Sequence, residues 1–279
     1  MKYYLETNAL RALGYKIHEK QNILSESFTS IFAVFEIIKG IDRSKDSKKR
    51  IDIINNLSKN NLKIINLMPI EVIENTFLTK IDISESYEII QEFEKIINCN
   101  STEYKKSNSY LQLIKKYEEG TKIFQKKMTK KNCIPKPQPK TIGLTLDALF
   151  SEPKISSELS EKIAKLPKGT HPSEIVLLMI EDKYLLSFYD KLNITKDISK
   201  DKILQAYRGE LNLLLFALYT FELKKKSLRE STAKNDLLDL LHIVYLYKKD
   251  IIMVSNDKIF ETILPNKNII SVEKYRNLI

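Results

Sequence analysis

The chain has 279 residues, of which 43% are hydrophobic, enough to bury one large core or two smaller ones. The formal charge of +10 favours an anionic partner such as nucleic acid, although abundant Lys, Asn and Ile are also what an AT-rich genome produces. No apolar run approaches the roughly 20 residues that cross a bilayer, and nothing resembles a secretory signal, so we expect a cytoplasmic protein without a membrane segment.

The first third of the chain predicts strands alternating with helices. Residues 2–5 are apolar and β-prone and run into a polar step at Glu6, which predicts a short buried strand that delivers an acid to its carboxyl end. Residues 25–41 have apolar side chains at helical spacing with Glu36 on the flanking face, and they predict a helix. Residues 61–68 are largely apolar and are closed by a proline, so they predict a second strand.

The middle of the chain differs in texture from both ends. From about residue 84 to about residue 204, amphipathic segments alternate with charge-rich stretches, and a run of spaced prolines lies between lysines. We predict a mostly α-helical subdomain or cap inserted at residues 84–204. Residues 1–83 and 205–279 then form one split domain.

The end of the chain has the clearest pattern. Residues 202–226 predict a long helix, and residues 232–247 carry an apolar face at helical spacing. Residues 251–254 are four apolar residues in a row, typical of a strand covered on both sides, and Asp257 follows shortly after them. A last short strand is predicted at residues 268–272.

These elements predict an α/β fold in which helices flank a parallel sheet. Ligands of such sheets bind beyond the carboxyl ends of the strands, where Glu6 and Asp257 are both expected. Glu36 and Asp239 add two carboxylates on helices. Carboxylates from distant segments are the ligands that Mg²⁺ takes, and phosphodiester hydrolysis needs what such an ion provides.

Four short segments resemble, in the same order, the motifs of PIN-domain ribonucleases. Two near the start are YLETNAL at residues 4–10, similar to their opening Asp-Thr-Asn strand, and FAVFEIIKG at residues 32–40, similar to their second-helix Glu segment. Two near the end are DLLH at residues 239–242, similar to an Asp-x-x-His helix, and MVSNDKIF at residues 253–260, similar to a closing Val-Thr-Asn-Asp-x-x-Phe. The resemblance covers about residues 1–83 and 205–279.

The resemblance implies a PIN-like Rossmannoid sheet and an endoribonuclease that uses Mg²⁺ or Mn²⁺ to cut RNA with metal-activated water. Asp236 is a candidate auxiliary ligand, because it precedes Asp239 by three residues on a similar helical face. The residues to which the resemblance gives a role are Glu6, Glu36, Asp239 and Asp257 as catalytic metal ligands, and Asn8 and Ser255 as hydrogen-bonding residues that position an acid or a phosphate.

One position departs from the family pattern, since PIN domains usually have Asp where this chain has Glu6. The extra methylene moves the carboxylate by roughly 1 Å, which can cost on the order of 10²-fold where positioning supplies the catalysis. Three functions stay open: an RNA nuclease, a PIN-like RNA- or protein-binding module with weakened catalysis, and a DNA-directed nuclease. Small bacterial PIN proteins often act as toxins or defence effectors, so an inhibitory protein partner and a homo-oligomer also stay open.

Each candidate residue has an ordinary structural alternative. Glu6 and Asp257 follow strands and could each cap the next helix. Glu36 lies among apolar residues, where an unpaired carboxylate is costly, so it belongs at a helix edge or at a site. We interpret His242 as a packed histidine, hydrogen-bonded within the helix layer, rather than as a general base or ligand.

Lysine clusters in the middle of the chain could contact an RNA backbone, although each cluster is also typical of a solvated helix face. Aromatic residues between them would be available to stack on bases. The predicted contacts are Lys126, Lys127, Lys130 and Lys131, with Tyr110, Tyr117 and Phe124 for stacking.

Overall fold

A parallel β-sheet forms the centre of the computed structural model. Its strands are β1 (Lys2–Leu5), β2 (Ser27–Ser30), β3 (Lys63–Ile65), β4 (Ile251–Val254) and β5 (Ile269–Ile270), in the spatial order β3-β2-β1-β4-β5. Every neighbouring pair is parallel, which confirms the predicted α/β class. The structure describes residues 1–14, 17, 21–41, 46–77, 81–99, 104–129, 165, 210–228, 233, 235–248 and 250–278.

Helices surround this sheet. A short 3₁₀ helix, His242–Tyr245, follows the helix Asp236–Leu241 without a break. None of the described helices is long and apolar enough to span a membrane. The helices are α1 (Thr7–Leu13), α2 (Gln21–Leu24), α3 (Ile31–Lys39), α4 (Ser47–Lys59), α5 (Pro69–Phe77), α6 (Ser84–Asn98), α7 (Asn108–Thr129), α8 (Asn212–Leu228), α9 (Asp236–Leu241), α10 (Lys258–Ile263) and α11 (Val272–Arg276).

The prediction of a single helix at residues 25–41 is wrong in its first part, because Ser27–Ser30 is strand β2. This segment lies beside β1, with Tyr4 in register with Phe28, and all four of its residues are buried. The helix starts only after Ser30, whose hydroxyl accepts a hydrogen bond from the Ala33 backbone at 3.1 Å. A serine in that position ends the strand and caps the helix at the same time.

The first two helices of the predicted insertion pack on the sheet domain. Helices α6 and α7 contact each other, and α6 also contacts α3 and α4. The Phe35 ring of α3 lies 5.7 Å from Tyr110 and 5.1 Å from Tyr117 of α7, and the Tyr110 hydroxyl donates to the Phe35 carbonyl at 2.8 Å. Residues of α6 and α7 therefore belong to the same hydrophobic core as the strands.

This packing corrects the prediction that Tyr110 and Tyr117 stack on RNA bases. Both rings are buried, with exposed fractions of 0% and 2%, so neither can meet a base without unfolding the core. Lys130 and Lys131 lie outside the described residues. The side chains of Phe124, Lys126 and Lys127 lie outside the described part as well, although the α7 backbone extends past them.

We expect Tyr110→Ala to lower the free energy of unfolding by about 3–5 kcal/mol, the cost of removing a fully buried aromatic side chain. Tyr87→Ala is the matched control on the neighbouring helix α6, since Tyr87 is 57% exposed. It should change stability by less than about 0.5 kcal/mol. Urea unfolding of the whole chain measures both, and equal, small effects would show that α7 is not part of the core.

Candidate functional site

The two central strands bring the ends of the chain together at one edge of the sheet. Strands β1 and β4 pair along their whole length, with Leu5 in register with Val254. The residues that follow, Glu6 and Ser255, therefore leave the sheet side by side at its carboxyl edge. The strand order runs outward in opposite directions from β1 and β4, and such a switch point is where parallel sheets bind ligands.

Glu6 is both a helix cap and a member of the cluster. Its Oε2 accepts from the Asn8 backbone at 2.6 Å and its Oε1 accepts from the Ala9 backbone at 3.0 Å, so it caps α1 with both oxygens. Only 2% of the residue is exposed. Burial raises the pKa of Glu6, and nearby Glu36 adds to the rise, although His242 and hydrogen bonds from the Asn8 backbone and Ser255 oppose it.

The side chain of Glu36, on helix α3, lies at the same edge of the sheet, and two hydrogen-bond donors hold it. The Thr7 hydroxyl donates to its Oε2, and Nε2 of His242 lies 2.8 Å from the same oxygen. Burial alone would raise the pKa of Glu36, but the attraction of His242 and the hydrogen bonds from His242 and Thr7 bring the pKa below its ordinary value. Its other oxygen, Oε1, accepts no hydrogen bond from any residue that the structure describes.

Asp257 caps α10, and two predicted positioning residues surround it. Its Oδ1 accepts from the Ile259 backbone at 3.1 Å, and Asn8 Nδ2 lies 3.5 Å from its Oδ2. The Ser255 hydroxyl accepts from the Asp257 backbone at 2.9 Å and also donates to Glu6. Asn8 and Ser255 thus each connect the acid after β1 with the acid after β4.

Asp239 differs from the other three acids because its carboxylate has no hydrogen-bond partner among the described residues. It lies half-buried on α9. Burial, followed by the charges of Glu36, Asp257 and Glu6, raises the pKa of Asp239 to about 9. The four predicted acids therefore act on one another, although they come from four different segments.

Asp236 has a more local role. It is 8% exposed, and its Oδ2 accepts from the Ala233 backbone at 2.7 Å, which closes the turn before α9. It contributes to the raised pKa of Asp239 only through its charge, and this contribution is the smallest of the four. The predicted role of Asp236 as an auxiliary ligand stays a prediction.

The unoccupied oxygens of this site are of the chemical type that a hard divalent cation prefers. No three Asp, Glu, His or Cys side chains in the described part of the chain lie close enough together to enclose an ion by themselves. Mg²⁺, however, keeps several of its waters and is usually bound by only one or two carboxylates. The Asp239 carboxylate and Oε1 of Glu36 are oxygens that no described hydrogen bond occupies, and both are of the type that this ion prefers.

Two residues of the site had no role in the sequence analysis. Thr7 donates to Glu36, and the Tyr4 hydroxyl lies 2.6 Å from Nδ1 of His242. Thr7 carried a signal, because it stands between two predicted site residues. Tyr4 is the hydroxyl-bearing residue next to the carboxyl end of a buried strand, a position that requires a polar partner when the ring is buried.

No model of a known protein family matches this chain, and no curated protein and no solved structure matches it. The likeness to PIN domains therefore consists of the four short motifs quoted above.

The raised pKa of Asp239 should make the metal-free protein less stable as pH rises. With its pKa raised to about 9, folded Asp239 keeps a proton that the unfolded chain has lost, so stability falls between roughly pH 4 and about pH 9. We expect Asp239→Asn to be more stable than the natural protein by on the order of 1–2 kcal/mol near pH 8 and similar to it near pH 4.

Urea unfolding in EDTA at the two pH values measures this difference. Asp52→Asn is the control, because Asp52 is an exposed acid on α4 that is not among the charges that raise the pKa of Asp239. It should not gain stability over the natural protein as pH rises. A difference between Asp239→Asn and the natural protein that stays constant with pH would contradict the clustering of the acids.

Proposed function

We propose that this chain is a Mg²⁺- or Mn²⁺-dependent endoribonuclease of the PIN-domain kind. The observation that carries the proposal is the convergence of Glu6, Glu36, Asp239 and Asp257 at the switch point of a parallel sheet. Acids that only solvate a surface do not gather in a half-buried place where they repel one another. Such a cluster is costly unless a cation or a reaction gives it a purpose.

The charges of the cluster are poorly neutralised by the protein itself. Within the described residues, no Lys or Arg forms an ion pair with Glu6, Asp239 or Asp257, and the ion-pair partner of Glu36 is the histidine His242. A divalent cation is the simplest source of the missing positive charge. This deficit supports a metal site more strongly than the presence of acids alone.

The proposed chemistry assigns separate tasks to these residues. A divalent cation would lower the pKa of the attacking water and neutralise charge on the leaving oxygen of a phosphodiester. Asp239 and Glu36 would hold it, since each has an oxygen that no described donor occupies. Asn8 and Ser255 keep Glu6 and Asp257 in place at the rim. The expected products carry 5′-phosphate and 3′-hydroxyl ends, as the PIN resemblance implies.

RNA is proposed as the substrate from the PIN resemblance, and charge supports an anionic one. Helix α7 contacts α9, the helix that carries Asp239. Lys115 and Lys122 of α7 are exposed. Further along α7, Lys126 and Lys127 stay predicted RNA contacts, as do Lys130 and Lys131. The family resemblance extends the same proposal to a bacterial toxin or defence effector with an inhibitory protein partner.

The first test is cleavage of mixed-sequence RNA by the purified protein with Mn²⁺ or Mg²⁺. We expect cleavage that EDTA abolishes and that Asp257→Ala or Asp239→Asn reduces by at least about 10²-fold, because each removes charge from the proposed ion site. Asp52→Asn should cleave at the natural rate. Single-stranded DNA of the same sequence is the parallel substrate, and equal cutting of both would refute the preference for RNA.

One observation favours a weaker alternative, a PIN-like binding module with reduced catalysis. Both oxygens of Glu6 are already used to cap α1, which leaves this acid less able to take part in binding an ion. Aspartate at the same place can still cap the helix, so Glu6→Asp should fold. If the extra methylene holds the natural protein back, Glu6→Asp will raise RNA cleavage by about 10-fold or more, measured at saturating Mn²⁺.

A further inference from the structure

His242 is completely enclosed and uses both of its ring nitrogens. It is 1% exposed, at the start of the 3₁₀ helix that follows α9. Its Nδ1 lies 2.6 Å from the Tyr4 hydroxyl, and its Nε2 lies 2.8 Å from Oε2 of Glu36 and 3.3 Å from the Thr7 hydroxyl. The Phe32 ring is 4.8 Å from the imidazole, centroid to centroid. The ring is therefore fixed by packing and by hydrogen bonds at both ends.

The hydrogen bonds around His242 form a chain that returns to the helix of Glu36. The Tyr4 hydroxyl lies 2.8 Å from the hydroxyl of Ser30, and Ser30 caps α3. Glu36 is on that same helix, and the other end of this series of hydrogen bonds reaches it through His242. Strand β1, helix α3 and the 3₁₀ helix are thus connected by one buried network. A buried network of this kind gives its residues defined orientations.

The protonation of one ring nitrogen follows from its partner. Oε2 of Glu36 accepts from the Thr7 hydroxyl, and a carboxylate can only accept, so Nε2 of His242, 2.8 Å away, is the donor of the second hydrogen bond. Nε2 of His242 must therefore carry a proton. The Tyr4 hydroxyl, 2.6 Å away, holds the other ring nitrogen, Nδ1.

The two oxygens of Glu36 consequently have different surroundings. Oε2 accepts from both His242 and Thr7, whereas Oε1 accepts from no residue in the described part of the chain. We propose that His242 is a positioning residue, which holds Oε2 of Glu36 so that Glu36 binds the divalent cation through Oε1 alone. This inference rests on the proposed metal-dependent function. Partners behind a metal ligand commonly act in this way, and their loss typically weakens metal binding by about 10–100-fold.

The test compares two substitutions that remove the imidazole but differ in one donor. The side-chain amide of His242→Gln can reach the place of Nε2 and donate to Glu36, whereas His242→Leu fills similar volume without a donor. Mn²⁺ affinity of the full chain is measured by calorimetry, beside urea unfolding. We expect His242→Leu to lose about 10–100-fold in affinity and His242→Gln to stay within about 3-fold of the natural protein.

Equal affinities of both variants and the natural protein would overturn the positioning role. Equal losses in both would overturn it as well, because they would mean that His242 acts only by packing. Tyr4→Phe covers the case in which His242→Leu does not fold. It keeps the ring but removes the hydroxyl that holds Nδ1, and it should lower Mn²⁺ affinity by about 3-fold or more. An unchanged affinity would contradict the network.

A nitrogen NMR spectrum tests the hydrogen bond without any metal. The chain has only three histidines, so the signal that disappears in His242→Gln identifies His242. We expect its Nε2 to be protonated, and an unprotonated Nε2 would refute the contact with Glu36. The Mn²⁺ titration separates the two proposals. If the natural protein binds no Mn²⁺, the metal site itself is overturned. If the Mn²⁺ affinity is the same in His242→Leu as in the natural protein, only the positioning role is overturned.

Discussion

The pairing of β1 with β4 is the contact on which the rest of the structure depends. These strands come from opposite ends of the described chain, and they lie side by side in the middle of the sheet. Both are apolar and largely buried, so burial on two faces holds them together. The part of the chain between β1 and β4 therefore starts and finishes beside this strand pair. Two of the four acids follow this strand pair, Glu6 directly after β1 and Asp257 three residues after β4.

The cluster shows how a fold can hold charges that oppose its own stability. Backbone groups at helix starts donate to Glu6 and Asp257, and His242 with Thr7 holds one oxygen of Glu36. Hydrogen bonds can thus keep three carboxylates in place, but they supply little net positive charge. The charges of Glu36, Asp257 and Glu6 repel the charged form of Asp239 and, together with burial, raise its pKa. Functional sites often keep such unfavourable arrangements, since relieving them would remove what binds the ligand.

The roles of the acids stay predictions, whereas sequence patterns were sufficient for β1, β3, β4 and β5, because short apolar runs that end at polar residues or proline are typical of strands. They failed at β2, where Phe28 and Thr29 continue directly into an apolar helix. They also failed for Tyr110 and Tyr117, whose spacing on one helical face indicates a core as readily as a stacking surface. The network of His242 was out of reach, since Tyr4 is 238 positions away along the chain and Glu36 is 206.

The late position of β4 in the chain also determines when the site can assemble during synthesis. Ribosomes add roughly 5–20 residues per second, so several tens of seconds at the slower rate pass between the synthesis of Glu6 and that of Asp257. During this interval the centre of the sheet lacks one of its two middle strands, and half of the acids are not yet made. A nascent chain therefore carries no assembled site beside the RNA that encodes it. The activity proposed for this fold would begin only after its last strands leave the ribosome.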